Sequence, residues 1–205
     1  MRILVFGASG RAGKYLVKEA LERGHVVVAF TRDASAYPLG HPKLQVVRGD
    51  ILDFSSVLAA ARGAHGVICA LGAANLKGTT VLSRGTGDII RAMKEQGVRR
   101  LVCLTCARFL KTDGPFLASR VIFPLALRHV REDRRRQAGL LEASGLDWAL
   151  VRAVRFWDRP ATGHYEVTFG RPAGRWIALG DLAEFMVTEL ETGGHFGRMP
   201  IISSH

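Results

Sequence analysis

Three glycines recur at three-residue spacing in Gly7-Ala8-Ser9-Gly10-Arg11-Ala12-Gly13. Such glycines let the chain turn tightly and let backbone N–H groups, with the positive end of a following helix, approach a pyrophosphate. The loop follows the apolar run RILVF and opens an amphipathic segment, so it lies between a strand and a helix, the context that gives the pattern its force. Dinucleotide binding by Gly7, Ser9, Gly10, Arg11 and Ala12 is therefore expected. The next strand ends in Thr31-Arg32-Asp33, with Arg32 placed 25 residues after Gly7. A cation there, together with Arg11, suits the 2′-phosphate of NADP(H), whereas an acid suits the ribose hydroxyl of NAD(H). The two arginines favour NADP(H). Asp33 leaves NAD open, and Arg32 paired with Asp33 in solvent is the bland alternative. Asp50, in Arg48-Gly49-Asp50-Ile51, can accept from an adenine amino group or cap a turn.

On the acceptor side, the spacing Tyr-x-x-x-Lys does not occur: Tyr15 to Lys18 is the nearest approach and lies in the first helix. Ketone and alcohol chemistry, which needs a phenol proton donor, is disfavoured. A flavin or quinone takes hydride at a ring atom and a proton from solvent, so the protein need mainly position two rings and exclude water. Cys103 and Cys106 invite a redox reading, but residues i and i+3 of a strand face opposite ways, so the thiols should diverge. Cys106 alone can act as a small group near a nicotinamide or as a packed thiol. Arg108, Lys111, Arg152 and Arg155 follow the fifth and sixth strands and suit an anionic acceptor. The run Arg128–Arg136 (RHVREDRRR) reads as a solvated helix face, with Glu132 paired to Arg128 and Arg136 and with Arg134 or Arg135 turned toward the cleft as a further option. No metal is expected, since the seven histidines show no ligand spacing.

The elements that must hold these residues follow from periodicity. Short apolar runs at 2–6, 25–31, 44–48, 66–71, 100–105 and 148–152 read as buried strands. Helical spacing marks 10–23, a helix capped by Asp53 and ending at Gly63, 80–96, 130–144, and a last helix capped by Asp181 before a closing strand at 200–202. Alternating strands and helices predict an α/β chain: one Rossmann domain over 1–205, with a doubly wound, mostly parallel sheet and helices on both faces. The segments 107–127 and 155–175, rich in Gly and Pro, leave the carboxyl ends of strands and are expected to form the substrate pocket.

Composition sets the limits. The 205 residues are enough for one core without staples, and 48% of them are hydrophobic. Cys69, Cys103 and Cys106 lie in apolar runs, as reduced thiols of a cytoplasmic protein do. The first apolar run is far shorter than a signal-peptide core, and no stretch approaches a membrane span. The net charge of +11 suggests anionic ligands, but no aromatic interleaving or known motif points to nucleic acid. A monomer or weak dimer acting on small molecules is expected.

FGASGRAG, TRD, the GD after the third strand, TTVLSRGTGDIIRAMKEQGVRRLVCLTCARF, LLEASGLDWALVR, TGHYEVTFG and RWIALGDLAEFM together resemble the atypical short-chain dehydrogenase/reductase family, NAD(P)H-binding and NmrA-like. The similarity is strongest to its NADPH-dependent flavin reductase and biliverdin-IXβ reductase branch and covers nearly the whole chain. It implies a Rossmann fold with NADPH across the carboxyl ends of the strands and hydride transfer to a flavin or linear tetrapyrrole. It also implies cofactor contacts at Gly7, Ser9, Gly10, Arg11, Ala12, Arg32, Asp50, Ile51, Leu71, Gly72, Ala73 and Thr105. Cys106 stands where the branch has Ser, and Ala153-Val154-Arg155 replaces its Pro-Pro-His. Cys106 and Arg155 are thus the expected positioning residues at the reacting rings, with Arg108, Lys111, Arg152, Arg155 and Phe156 on the acceptor side. A quinone reductase and a non-catalytic, redox-sensing NADP-binding regulator are the alternatives.

Overall fold

A computed structural model describes residues 1–37, 40–72, 80–106 and 128–204. Its first half alternates strands and helices except between β2 and β3: β1 (Arg2–Phe6), α1 (Arg11–Glu22), β2 (Val26–Thr31), β3 (Leu44–Arg48), α2 (Phe54–Ala61), β4 (Gly66–Cys69), α3 (Val81–Glu95) and β5 (Arg100–Cys106). After it come α4 (Arg128–Glu142), β6 (Asp147–Ala153), β7 (Arg155–Trp157), β8 (Glu166–Thr168), β9 (Trp176–Ala178), α5 (Leu179–Thr192) and β10 (Ile201–Ser203). Among the described residues the main sheet runs β3-β2-β1-β4-β5-β6-β10-β8, parallel throughout except for β8 against β10. This is the doubly wound Rossmann arrangement.

The period of two along each strand divides the core. Ile3, Val5, Val27, Ala29, Ile68 and Val102 face α1 and α5, whereas Leu4, Phe6, Val28, Phe30, Val67 and Leu101 face α2, α3 and α4. Apolar residues on both faces explain why these strands read as unbroken runs rather than as alternation. Cys103 lies in the second core beside Cys69, its register partner, and Cys106 is half-buried at the strand end, so the two thiols of the fifth strand do diverge. The contact with the Cys69 thiol, together with burial, pushes the Cys103 thiol up.

Three local readings are corrected. The stretch 155–175 is not one loop: β7 pairs in parallel with β9 as a separate two-stranded sheet, and β8 adds to the main sheet. Three-residue strands interrupted by Gly and Pro leave too little periodicity to read. Asp181 is not a cap, since α5 begins at Leu179 with Ala178 as N-cap. It is fully buried in the first turn, accepting from the Thr162 N–H (2.6 Å), the Thr162 hydroxyl (2.8 Å) and the Gly163 N–H (2.9 Å). A carboxylate there also suits the positive end of the helix.

The third correction concerns the arginine run, of which only part is a solvated face. Asp133 and Arg134 are buried, while Glu132, Arg135 and Arg136 are exposed and Glu132 pairs with Arg136 at 3.8 Å. Helical spacing puts Val130, Asp133, Arg134 and Gln137 on one inward stripe. Burial is tolerated because Asp133 accepts from the Leu82 and Ser83 N–H groups (3.1 and 3.0 Å) at the start of α3, and Gln137 donates to the Thr86 hydroxyl at 3.1 Å.

Candidate cofactor and acceptor site

Strand register brings the candidate residues together. Phe6 pairs with Phe30 and with Cys69, Thr31 with Arg48, Cys69 with Cys103, and Thr105 with Arg152, so the loops after β1 to β6 leave the sheet along one carboxyl edge. This is where open α/β sheets bind ligands.

The glycine loop is built for close approach. Gly7 has φ +75°, and a Cβ there would lie 2.6 Å from the Ala70 carbonyl oxygen. A Cβ at Gly13 would lie 2.1 Å from the Gly7 oxygen, so only glycine lets α1 pack so tightly on the turn. Gly10 is the N-cap of α1, offers no side-chain cap, and is followed by a first turn without an acid. The first N–H groups of α1 are left for an anion, and Ser9, Gly10 and Arg11 around them are exposed. The loop is pinned from the second strand: the Thr31 hydroxyl donates to the Ser9 hydroxyl at 2.9 Å, and the Tyr37 hydroxyl donates to the Ala8 carbonyl at 2.5 Å. The residues present fit a dinucleotide.

Arg32 is exposed one residue beyond β2 and, like Arg11, makes no ion pair among the described residues. Asp33 turns away from it, accepting from the Ser35 hydroxyl (2.6 Å) and N–H (3.0 Å), and the Ser35 bonds hold its carboxyl below the usual range. Asp50 is exposed and makes the turn contact weighed for it, one oxygen accepting from the Leu52 N–H at 2.9 Å. Ile51 is buried against Gly85 of α3, where a Cβ would meet it at 2.7 Å. Leu71 is half-buried and Gly72 exposed, just past β4, while Ala73 lies outside the described residues.

At the end of β5, Thr105 is buried and its hydroxyl accepts from Arg134 Nη1 at 2.6 Å. Burial lowers the Arg134 pKa, with Cys106 and Asp133 opposing that shift. Thr105, half-buried Cys106 and an inward guanidinium therefore meet at one point. Arg108 and Lys111 lie outside the described residues. Arg152 donates to the Met199 and Phe169 carbonyls (2.9 and 3.0 Å), a structural tie between strands where an open acceptor contact was expected. Phe156 is half-buried against the first core cluster, and Arg155 is exposed with its guanidinium 5.4 Å from the Trp176 ring centre. Tyr15 and Tyr37 donate to Asp158 and Ala8, so neither phenol belongs to the β5 end.

Residues 7–192 match the family described as NAD(P)H-binding. The chain belongs to this family. A 3-beta-hydroxysteroid dehydrogenase of Mycolicibacterium neoaurum is 34% identical over 113 residues, 49% of this chain and 31% of that protein. The chain thus spans about a third of the length of the curated relatives it first matches. An oxidoreductase from Lactococcus lactis superposes with TM-score 0.84 at 19% identity, covering 100% of this chain and 91% of that one. A Streptococcus pneumoniae protein proposed to be an NADH-flavin reductase superposes with TM-score 0.78 at 24% identity, each chain covered in full. At these identities the structural likeness is one of fold.

Sequence reasoning missed Tyr37, Trp157 and Trp176, and left Arg134 as one of two candidates. Arg134 was within reach: placing Val130 and Gln137 inward on a helix of period 3.6 carries it along. Tyr37 and the two tryptophans gave no signal, because they come together only through pairings between distant segments.

Proposed function

We propose that the protein is an NADPH-dependent reductase that passes hydride to a flavin (FMN, FAD or riboflavin), with linear tetrapyrroles or quinones as further acceptors. The observation that carries this reading is the edge between β1 and β2. There an uncapped helix start is flanked by exposed Arg11 and Arg32, while the one acid in reach of a ribose, Asp33, is engaged by Ser35. Two guanidinium groups without an ion pair among the described residues, beside an acid already engaged, suit a 2′-phosphate.

NADPH, when bound, supplies the hydride. The chain binds the pyrophosphate on the N–H groups that open α1 and leaves Gly7 and Gly13 bare so that backbone and ligand come close. Arg134 fixes the Thr105 hydroxyl at the end of β5, so that a ring lying there meets a surface that does not move. Neither Tyr15 nor Tyr37 stands at the β5 end to protonate an alkoxide, in keeping with an acceptor whose proton comes from water.

The test is to mix the purified protein with NADPH and FMN, riboflavin or biliverdin and follow absorbance at the nicotinamide band. Oxidation above the uncatalysed rate is expected. Tight NADPH binding with no oxidation by any of the three would overturn the enzyme reading and leave an NADP-binding regulator.

A further inference from the structure

The two-stranded sheet of β7 and β9 carries a feature that the cofactor edge does not use. Its pairing sets Arg155 against Trp176 and Trp157 against Ala178, so Arg155, Trp157 and Trp176 share the outer face, with Ala178 buried beside Trp157, while Phe156 and Ile177 face the core. Trp157 and Trp176 are 46% and 43% exposed, and their ring centres lie 6.4 Å apart. A cation flanks each: Arg159 sits 3.7 Å over the Trp157 ring and Arg155 5.4 Å from that of Trp176. Single exposed aromatics are ordinary, and cation–π pairs stabilise a surface modestly. Here a groove of about 530 Å³ opens beside Trp157, a size that suits a small-molecule site. Its lining includes Thr162, His164, Tyr165, Ala178 and Ser204 with one carboxylate, Glu166, so that an acidic group is better placed at the arginine end of the face than inside the groove. In its wall the buried Ser204 hydroxyl has no hydrogen-bond partner, which in a finished protein surface is uncommon. The position is also apt. β7 begins two residues past the end of β6, and Asp158 beyond it accepts from Tyr15 at 2.9 Å, tying this sheet to the helix that the glycine loop opens.

We infer that this face and its groove dock a flat aromatic ligand bearing an acidic group, the ring against Trp157 and Trp176 and its phosphate or carboxylate on Arg159 and Arg155. Indoles supply a ring platform at little entropic cost, and the guanidinium groups already lying on them are placed to take an anion at the ring's edge. The inference deepens the reductase reading and rests on it, since the ligand would be the electron acceptor.

The experiment uses calorimetric titration of the whole protein with FMN and with riboflavin, which has the ring without the phosphate. The double variant Trp157→Ala/Trp176→Ala should weaken FMN binding at least tenfold, and Trp157→Phe/Trp176→Phe should restore most of it. Arg159→Gln should bring FMN affinity toward that of riboflavin and leave riboflavin unchanged. NADPH affinity, equal in all variants, is the control for folding. FMN bound as tightly by the double alanine variant as by the native chain, or no flavin bound by the native chain, would overturn the inference. FMN-dependent NADPH oxidation whose KM ignores both tryptophans would refute this docking face and keep the reductase, whereas tryptophan-dependent FMN binding without turnover would do the reverse.

Discussion

Arg32 and Tyr37 flank the glycine loop by opposite means, one exposed and charged, the other half-buried with its hydroxyl on the Ala8 carbonyl. Arg32→Ala should weaken NADPH binding by about 1.5–3 kcal/mol, the range for a charge-assisted hydrogen bond, and leave NADH nearly unaffected. Titration of both nucleotides checks this, and equal losses for the two would mean that Arg32 does not see the 2′-phosphate. Tyr37 carries a pH dependence. Burial pushes its phenol well up from the ordinary value of about 10. The folded pKa is raised, so the stabilisation is complete below about pH 10 and is lost as pH rises toward the folded value. Denaturant midpoints of native protein should therefore fall progressively as pH rises above about 10, and Tyr37→Phe should flatten that fall. Parallel slopes would show that another group governs alkaline stability.

At the scale of elements, two buried carboxylates do what propensity cannot. Asp133 on α4 satisfies the opening N–H groups of α3, and Asp181 on α5 holds the segment 162–163 against its own helix. Close packing adds to the second contact, because a Cβ at Gly180 would lie 1.9 Å from the Ala161 nitrogen. Asp181→Ala leaves two N–H donors and a hydroxyl without their acceptor, so the segment should loosen before the sheet does. Limited proteolysis should cut the variant near residues 160–164 under conditions where the native chain resists, and an unchanged digestion pattern would count against the clamp. Both acids were misread from the sequence for one reason. An acid before or inside a helical run looks like a cap or a solvated charge, and only the neighbouring element reveals that it has partners in the interior.

For the whole molecule, the net charge of +11 is shared among distinct tasks. Arg11 and Arg32 stand exposed beside the glycine loop and the end of β2, Arg134 is buried under the end of β5, Arg152 bonds the Met199 carbonyl, and Arg155 and Arg159 lie over tryptophan rings. Among the described residues no helix is long and apolar enough to cross a membrane. A ligand that binds only the folded state stabilises it by mass action, about 2.7 kcal/mol at a hundredfold excess over Kd. For a chain of this size that corresponds to a rise in Tm of about 5–10 °C with NADPH. NADH at the same concentration should give a smaller rise, and equal shifts would remove the preference for NADPH.

Much of the fold was legible because a parallel sheet covered on both faces writes itself as short apolar runs between helical repeats. The glycine loop was legible because its chemistry depends on missing side chains at fixed spacing. Neighbours in sequence determined those features. The tertiary structure alone decided that Asp33 turns to Ser35 and away from Arg32, that Arg134 reaches Thr105, and that Trp157 and Trp176 share one face. These are contacts between side chains that compete for several partners or lie far apart in the chain, and the winner is set by burial and by which elements pack together.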